Sequence, residues 1–223
     1  LKPSVRSNVI CWFLSKQNAV GVRGLYARGP FFYMMRTMVI IPWKKVGDPV
    51  ILAKGYGKSF SKQDFIDHVG KTTDFYFFDQ PSWSVVLAIT SDNMVLTVRQ
   101  FKQGAEDILE ELPGGQVNFE NEDLTEVIRR ELLEETGYDS KKITPLGWGF
   151  MNSRNSHTKF FCFLAEECAK IAEPHLDGTE QIEVSTRPLA DWLRMVAEGE
   201  VTSLDACLIT VRALSHLGLR ITS

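Results

Sequence analysis

The sequence predicts an α+β domain, with helices layered on a mixed β-sheet and an extension at the N-terminus. Three observations predict it. Short β-rich runs and amphipathic helical runs alternate within one compact length. Leu124, Ile128 and Leu132 recur every fourth position between a helix-start and a helix-stop signal. Charge divides the chain: residues 1–47 hold eight basic residues and no acid, leaving 17 basic against 28 acidic residues in the remainder.

The elements follow in order. Residues 38–42 and 49–54 read as strands, and 62–69 as a small helix ahead of Gly70. Residues 74–78 read as a strand. Residues 84–90 and 94–100 form two β-rich runs about Ser91-Asp92-Asn93, a hairpin signal. Pro113-Gly114-Gly115 marks a tight loop. Asp123 caps the next helix, with Glu126 three residues later as in a capping box, and Gly137 stops it at the C′ position. Residues 143–150 and 159–164 are expected strands, and 189–198 and 204–217 two closing helices.

Composition narrows the function classes. A chain of 223 residues with 44% hydrophobic and 24% charged residues folds rather than staying disordered. Cys11, Cys162, Cys168 and Cys207 are scattered without C-x-x-C spacing, which argues against structural zinc or a disulfide framework and suits the reducing cytoplasm. No apolar run approaches the roughly 18 residues of a membrane span. The acidic remainder does not suit nucleic acid. The acid-free N-terminus is open to three readings: an organellar import signal, an upstream extension ahead of Met34, Met35 or Met38, or an ordinary basic segment.

The predicted box of chemistry lies on the capped helix. Glu131, Glu134 and Glu135 fall at positions i, i+3 and i+4 and share a face, while Arg130 stands four residues before Glu134. Like charges so placed repel, and a bound divalent cation would offset the repulsion. Oxygen-only ligands select Mg²⁺ or Mn²⁺ over zinc. A solvated acidic helix face is the competing reading.

The surroundings of that helix resemble the Nudix box. Gly115 and Glu122 lead into Arg130-Glu131-Leu132-Leu133-Glu134-Glu135-Thr136-Gly137-Tyr138. The spacing departs once: six residues separate Gly115 from Glu122 where the family has five, which leaves the role of Glu122 open. Residues 84–89, Met94 to Lys102 and Glu110-Glu111-Leu112-Pro113-Gly114-Gly115 further resemble the ADP-ribose pyrophosphatase branch. The likeness covers roughly residues 84–217.

The resemblance implies an α/β/α sandwich around a mixed sheet, with 37–80 as N-terminal strands open to a role in a homodimer and 81–223 as the hydrolase domain. Residues 1–36 form the basic extension, and residues 1–47 have no counterpart in the resemblance. It implies Glu131 and Glu135 as principal metal ligands, Glu134 as a further ligand, the Gly114 carbonyl in the same shell, and Arg130 as the residue that orients them. Arg99, Glu111 and Arg154 are the expected substrate contacts. Glu180, then Glu183, is the expected general base. The implied reaction is metal-dependent cleavage of the diphosphate in a nucleotide sugar, ADP-ribose first. NADH, a dinucleoside polyphosphate or a flavin nucleotide are alternative substrates, and a non-catalytic nucleotide sensor is the alternative of another class. A proline that usually marks the ADP-ribose group is missing from residues 151–155. Trp43, Tyr76 and Phe78 are candidates for stacking on the base. His157 and His175 read as structural or exposed, and Gly55-Tyr56-Gly57-Lys58 lacks P-loop spacing.

Overall fold

Three antiparallel strands open the computed structural model, which describes residues 40–118, 120–176 and 181–219. Strand β1 (Lys44–Gly55) pairs with β2 (Lys58–Ile66), and β2 pairs with β3 (Thr72–Asp79). Tyr56 and Gly57, both at positive φ, make the two-residue turn between the first two, as a tight hairpin requires. The glycine-bearing segment around Lys58 is therefore a hairpin tip.

Two expectations need correction here. Residues 62–69 are not a helix: they complete β2 and then turn. Ser61 and Gln63 point to a buried face, and the Gln63 side-chain amide donates to the carbonyls of Val46 and Gly47 at 3.1 and 3.2 Å. Partners on both edges settle β2 as a strand, and its buried polar residues hide the period of two from a hydrophobic pattern. Asp67 ends it, its carboxylate accepting from the backbone N–H of Val69 and Lys71, each at 2.9 Å. Nor do residues 40–42 form a strand. Pairing begins at Lys44 opposite Ile66, while Met38 and Val39 lie outside the described residues.

The larger sheet contains β4 (Trp83–Thr90), β5 (Met94–Lys102), β6 (Asp107–Glu111) and β7 (Gly114–Gln116). After helix α1 (Leu124–Thr136) come β8 (Tyr138–Asp139), β9 (Lys142–Phe150), β10 (Lys159–Lys170) and β11 (Glu183–Pro188). Helices α2 (Leu189–Glu198) and α3 (Leu204–His216) close the chain. The main order is β11-β5-β4-β10-β8, with β6 on β5, β7 on β4 and β9 on β10. The β4–β10 pair is parallel and the others antiparallel, so the sheet is mixed.

Strand β4 shows why this is a three-layer sandwich. Its sequence is apolar without alternation because both faces are covered. Val85, Leu87 and Ile89 face a cluster holding Trp192 of α2 and Ala206, Ile209 and Ala213 of α3. Val86 and Ala88 face Ile128 and Leu132 of α1, both fully buried. Each such side chain contributes about 1.5–3 kcal/mol. The Trp192 indole N–H donates to Thr210 Oγ1 at 2.9 Å, so its burial leaves no polar group unpaired. The residues Pro42–Leu219 form one compact unit. Among the described residues no helix is long and apolar enough to cross a membrane.

Candidate active site

Helix α1 is fixed at both ends before any chemistry is asked of it. The Asp123 carboxylate accepts from the Thr125 N–H at 2.9 Å, and Gly137 closes the helix in the left-handed region at φ 77°. Arg129 grips Asp139 with two bonds of 2.7 and 2.8 Å, which ties the helix to β8. One face of α1 is thus locked on the sheet, and the acidic face is held beside β7.

Strand β7 lies so close to its neighbours that Gly114 has no room for a side chain against the β4 backbone, while at Gly115 the movable Glu131 carboxylate stands in the way. A Cβ on Gly114 would stand 2.2 Å from the Ser84 carbonyl oxygen, and one on Gly115 would stand 2.3 Å from the Glu131 carboxylate. The Gly114 N–H donates to Glu135 at 2.9 Å, and Glu135 is only 7% exposed. Arg130 reaches Glu131 and Glu134, both at 2.9 Å. The expected repulsion on this face is therefore offset within the protein by a guanidinium lying between two of the carboxylates. The extra loop residue is absorbed in a turn: the Asn121 and Glu122 N–H groups donate to the Asn118 carbonyl, and Glu122 accepts from the Asn118 N–H at 2.7 Å. Glu122 braces the loop, and Phe119 lies outside the described residues.

A cavity of about 450 Å³ opens alongside this glycine segment. Gly114, Gly115 and Gln116 form one wall, with Gln100, Lys102 and Glu111 beside them. Lys102 pairs with Glu111 at 2.7 Å. Trp83 and Phe160 stack with centroids 5.5 Å apart and both line the cavity. The Trp83 indole N–H donates to Asp205 at 2.7 Å, and the Ser203 hydroxyl donates to the same carboxylate.

The expected residues divide. Glu131, Glu134, Glu135, Arg130 and Gly114 are brought together, and Glu111 joins the cavity wall. Arg99 faces away from the cavity and pairs with Glu183 at 2.9 Å across β5 and β11. Arg154 sits on the exposed loop between β9 and β10, its N–H donating to Asn152, and Met151 of that loop lines the cavity. Glu180 lies outside the described residues. Trp43 packs on Phe75, Tyr76 stacks on Phe60, and neither these nor Phe78 line the cavity. His157 bonds Asp79 at 2.9 Å and stacks on Phe77, while the His175 N–H donates to the Glu134 carbonyl.

Lys102, Trp83 and Asp205 are cavity residues that sequence reasoning did not single out. Lys102 was within reach: alternation on β5 sets Gln100 and Lys102 on the face opposite Arg99. Asp205 was not, since only the packing of α3 brings it to Trp83. Burial pushes the Cys162 thiol up to about 11 and the Cys168 thiol up to about 12, so neither supplies a thiolate nucleophile at neutral pH.

Among the described residues no group of three or more Asp, Glu, His or Cys side chains stands where it could hold a metal ion. Mg²⁺ does not require one, because it takes one or two carboxylates and fills its octahedron with water and substrate phosphate. The donors here are oxygen-only, the glycine segment leaves a cradle that any Cβ would fill, and the buried Ser84 hydroxyl has no hydrogen-bond partner among the described residues. These features fit a hard divalent cation.

Comparison with known proteins agrees with this geometry. Residues 79–205 match the model of the NUDIX domain. An ADP-ribose pyrophosphatase of Bacillus subtilis is 32% identical over 68% of this chain and 80% of its own. The methanol dehydrogenase activator of Bacillus methanolicus is 32% identical over 33% of this chain and 40% of its own. A solved structure, that of an ADP compounds hydrolase, superposes with a TM-score of 0.65 at 18% identity, covering 78% of this chain and 97% of the other. Members of the family are generally divalent-metal dependent and act on nucleotides. The chain belongs to the Nudix family, and it is a hydrolase of the Nudix pyrophosphatase type.

Proposed function

We propose that the protein hydrolyses the diphosphate of a nucleoside diphosphate sugar, with ADP-ribose as the first substrate, giving AMP and ribose 5-phosphate. The observation that carries this reading is the segment Gly114–Gln116, which walls a cavity of nucleotide dimensions and is itself in contact with the Glu131 and Glu135 carboxylates. Glu131 and Glu135 hold the cation, with Glu134 and the Gly114 carbonyl in support. Bound there, Mg²⁺ or Mn²⁺ would supply charge neutralisation of the diphosphate and a more reactive water.

The chain's own groups do the rest. Arg130 orients the helix carboxylates. Lys102 meets the diphosphate, and Glu111 holds the ammonium in position. Gln100, Gln116, Ser203 and Asp205 offer hydrogen-bonding groups to a neutral polyhydroxy unit, with the Trp83 ring beside them. Two cavity carboxylates against one lysine disfavour the longer anionic chain of a dinucleoside polyphosphate. Glu180, or Glu183 after it, accepts the proton of the attacking water. Residues 44–79 join two copies into a homodimer: every residue of β1 is exposed, including Val50, Ile51 and Leu52, and among the described residues β1 is an edge strand paired with β2 alone.

The test is hydrolysis of ADP-ribose with Mg²⁺, with chelator, and in a Glu135→Gln variant, followed as release of AMP. Metal-dependent release that is lost in the variant supports the reading. Undiminished turnover in the variant would refute it.

A further inference from the structure

Ser84 is fully buried, and its hydroxyl makes no hydrogen bond among the described residues. A buried hydroxyl without a partner is costly to keep, since removing one that bonds nothing improves stability. Such a group needs an explanation, and a partner that reaches it only when the site is loaded is one.

The register says what that partner is. Ser84 on β4 is directly opposite Gly115 on β7 in an antiparallel pair. Residues so paired project their Cβ positions to the same face of the sheet. The Cβ that Gly115 lacks would meet the Glu131 carboxylate at 2.3 Å. The Ser84 side chain therefore leaves the sheet on the face where Glu131 lies, and the Glu131 carboxylate occupies the space over Gly115 that a Cβ would otherwise fill. The neighbours of Ser84 agree: Val86 and Ala88, two and four residues on, pack against Ile128 and Leu132 of the helix that carries Glu131. The orphan hydroxyl and the glycine that makes room for the Glu131 carboxylate thus stand side by side on the face proposed to bind the metal.

We infer that Ser84 is a positioning residue of the metal centre: when the divalent cation is bound, its hydroxyl donates to the Glu131 carboxylate and fixes the oxygen that faces the ion. The inference rests on the assignment of Glu131 as a metal ligand. Arg130 already holds Glu131 from the solvent side at 2.9 Å. Ser84 would hold it from the sheet side, so that the carboxylate cannot swing toward the guanidinium when the ion arrives. Partners of metal ligands of this kind typically change metal affinity by about 10–100-fold when removed.

The experiment uses Ser84→Ala in the full chain, with Mn²⁺ as the probe. In chelator, the thermal midpoint of the variant is expected to match the wild type or rise by about 2–4 °C, because an unsatisfied hydroxyl is removed. Mn²⁺ affinity, read from the loss of the free-ion paramagnetic resonance signal, is expected to fall by about 10-fold or more. Hydrolysis is expected to need about 10-fold more Mg²⁺ for half-maximal rate, with the saturated rate changed much less. A midpoint several degrees lower in chelator would overturn the inference, because it would give the hydroxyl a structural bond. Equal Mn²⁺ affinity in variant and wild type would overturn it as well, while leaving the metal site intact. If Glu131→Gln bound Mn²⁺ as well as the wild type does, the metal assignment itself would fall and Ser84 with it.

Discussion

Strand β7 is pressed closely by its neighbours, whereas among the described residues strand β1 is exposed along its whole length. A single added carbon on Gly114 or Gly115 would meet a carbonyl or a carboxylate at 2.2–2.3 Å. Every residue of β1 is exposed, among them Val50, Ile51 and Leu52 at 57, 53 and 49%. The first has three residues and the second twelve, and both belong to the same compact unit. The first is shaped by what must approach it closely, the second by a face that the chain alone leaves uncovered. Close packing and the proposed metal site coincide in β7, so changes there should cost both stability and rate. Changes in β1 should cost almost nothing within one chain.

The largest expected effect tests the platform beneath the site. Leu132 is fully buried one position after Glu131 and packs against Val86 and Ala88 of β4. Leu132→Ala is expected to lower unfolding free energy by about 2–5 kcal/mol. Urea denaturation checks it, and a loss below about 1 kcal/mol would mean that α1 is not the rigid support described.

That platform was also the most legible part of the chain. A four-residue apolar stripe and a three-carboxylate face sit on the same helical period, so one geometric rule places both. The cap at Asp123 and the stop at Gly137 follow from backbone chemistry that a sequence displays directly. The strand over Lys58–Ile66 was not legible. Its buried residues include Ser61 and Gln63, whose burial depends on the carbonyls of a distant strand. Asp205 is the same case within the site, meaningful only because α3 folds back onto Trp83. Local periodicity is written in a sequence, whereas meetings of polar groups far apart in the chain are not.

Gly115→Ala sharpens the contrast at the site itself. Its new methyl would displace the Glu131 carboxylate, and misplacing a reacting group by about 1 Å costs roughly 100-fold in rate, or about 2.7 kcal/mol. The measurement is kcat/KM for ADP-ribose in the variant. A loss under about threefold would show that Glu131 can move without consequence, and β7 would then be no tighter than β1 in functional terms.

A third comparison concerns charge. Burial alone would push the Glu110 carboxyl up, but the Arg187 guanidinium and the Thr97 hydroxyl bond to it and bring its pKa below the ordinary 4.5. A carboxyl depressed on folding contributes stability at pH above its ordinary value, and that contribution is lost as pH falls through the folded pKa. Stability should therefore fall on acidification below about pH 4.5, and Glu110→Gln should flatten that part of the profile. Near neutrality the variant should lose about 2 kcal/mol, less than a fully buried pair, because Arg187 is 38% exposed. Unfolding curves at several pH values decide it; an unchanged acid limb would assign the acid sensitivity to other carboxylates.

The smallest expected effect within a chain is the one that breaks the comparison most cleanly. Ile51→Lys places a charge on the open face of β1, where the chain itself makes no buried contact to lose. Stability of the unit should move by no more than about 0.5 kcal/mol if β1 faces solvent in a monomer. If β1 joins two copies, the same lysine meets the partner's apolar strand, and the dimer should separate at concentrations where the wild type remains paired. Light scattering coupled to gel filtration reads the mass directly. A wild type that is already monomeric would leave β1 an exposed edge and remove the dimer from the proposed function. A dimer unaffected by the lysine would place the interface elsewhere, because an ammonium buried in an apolar contact without a partner is not tolerated silently.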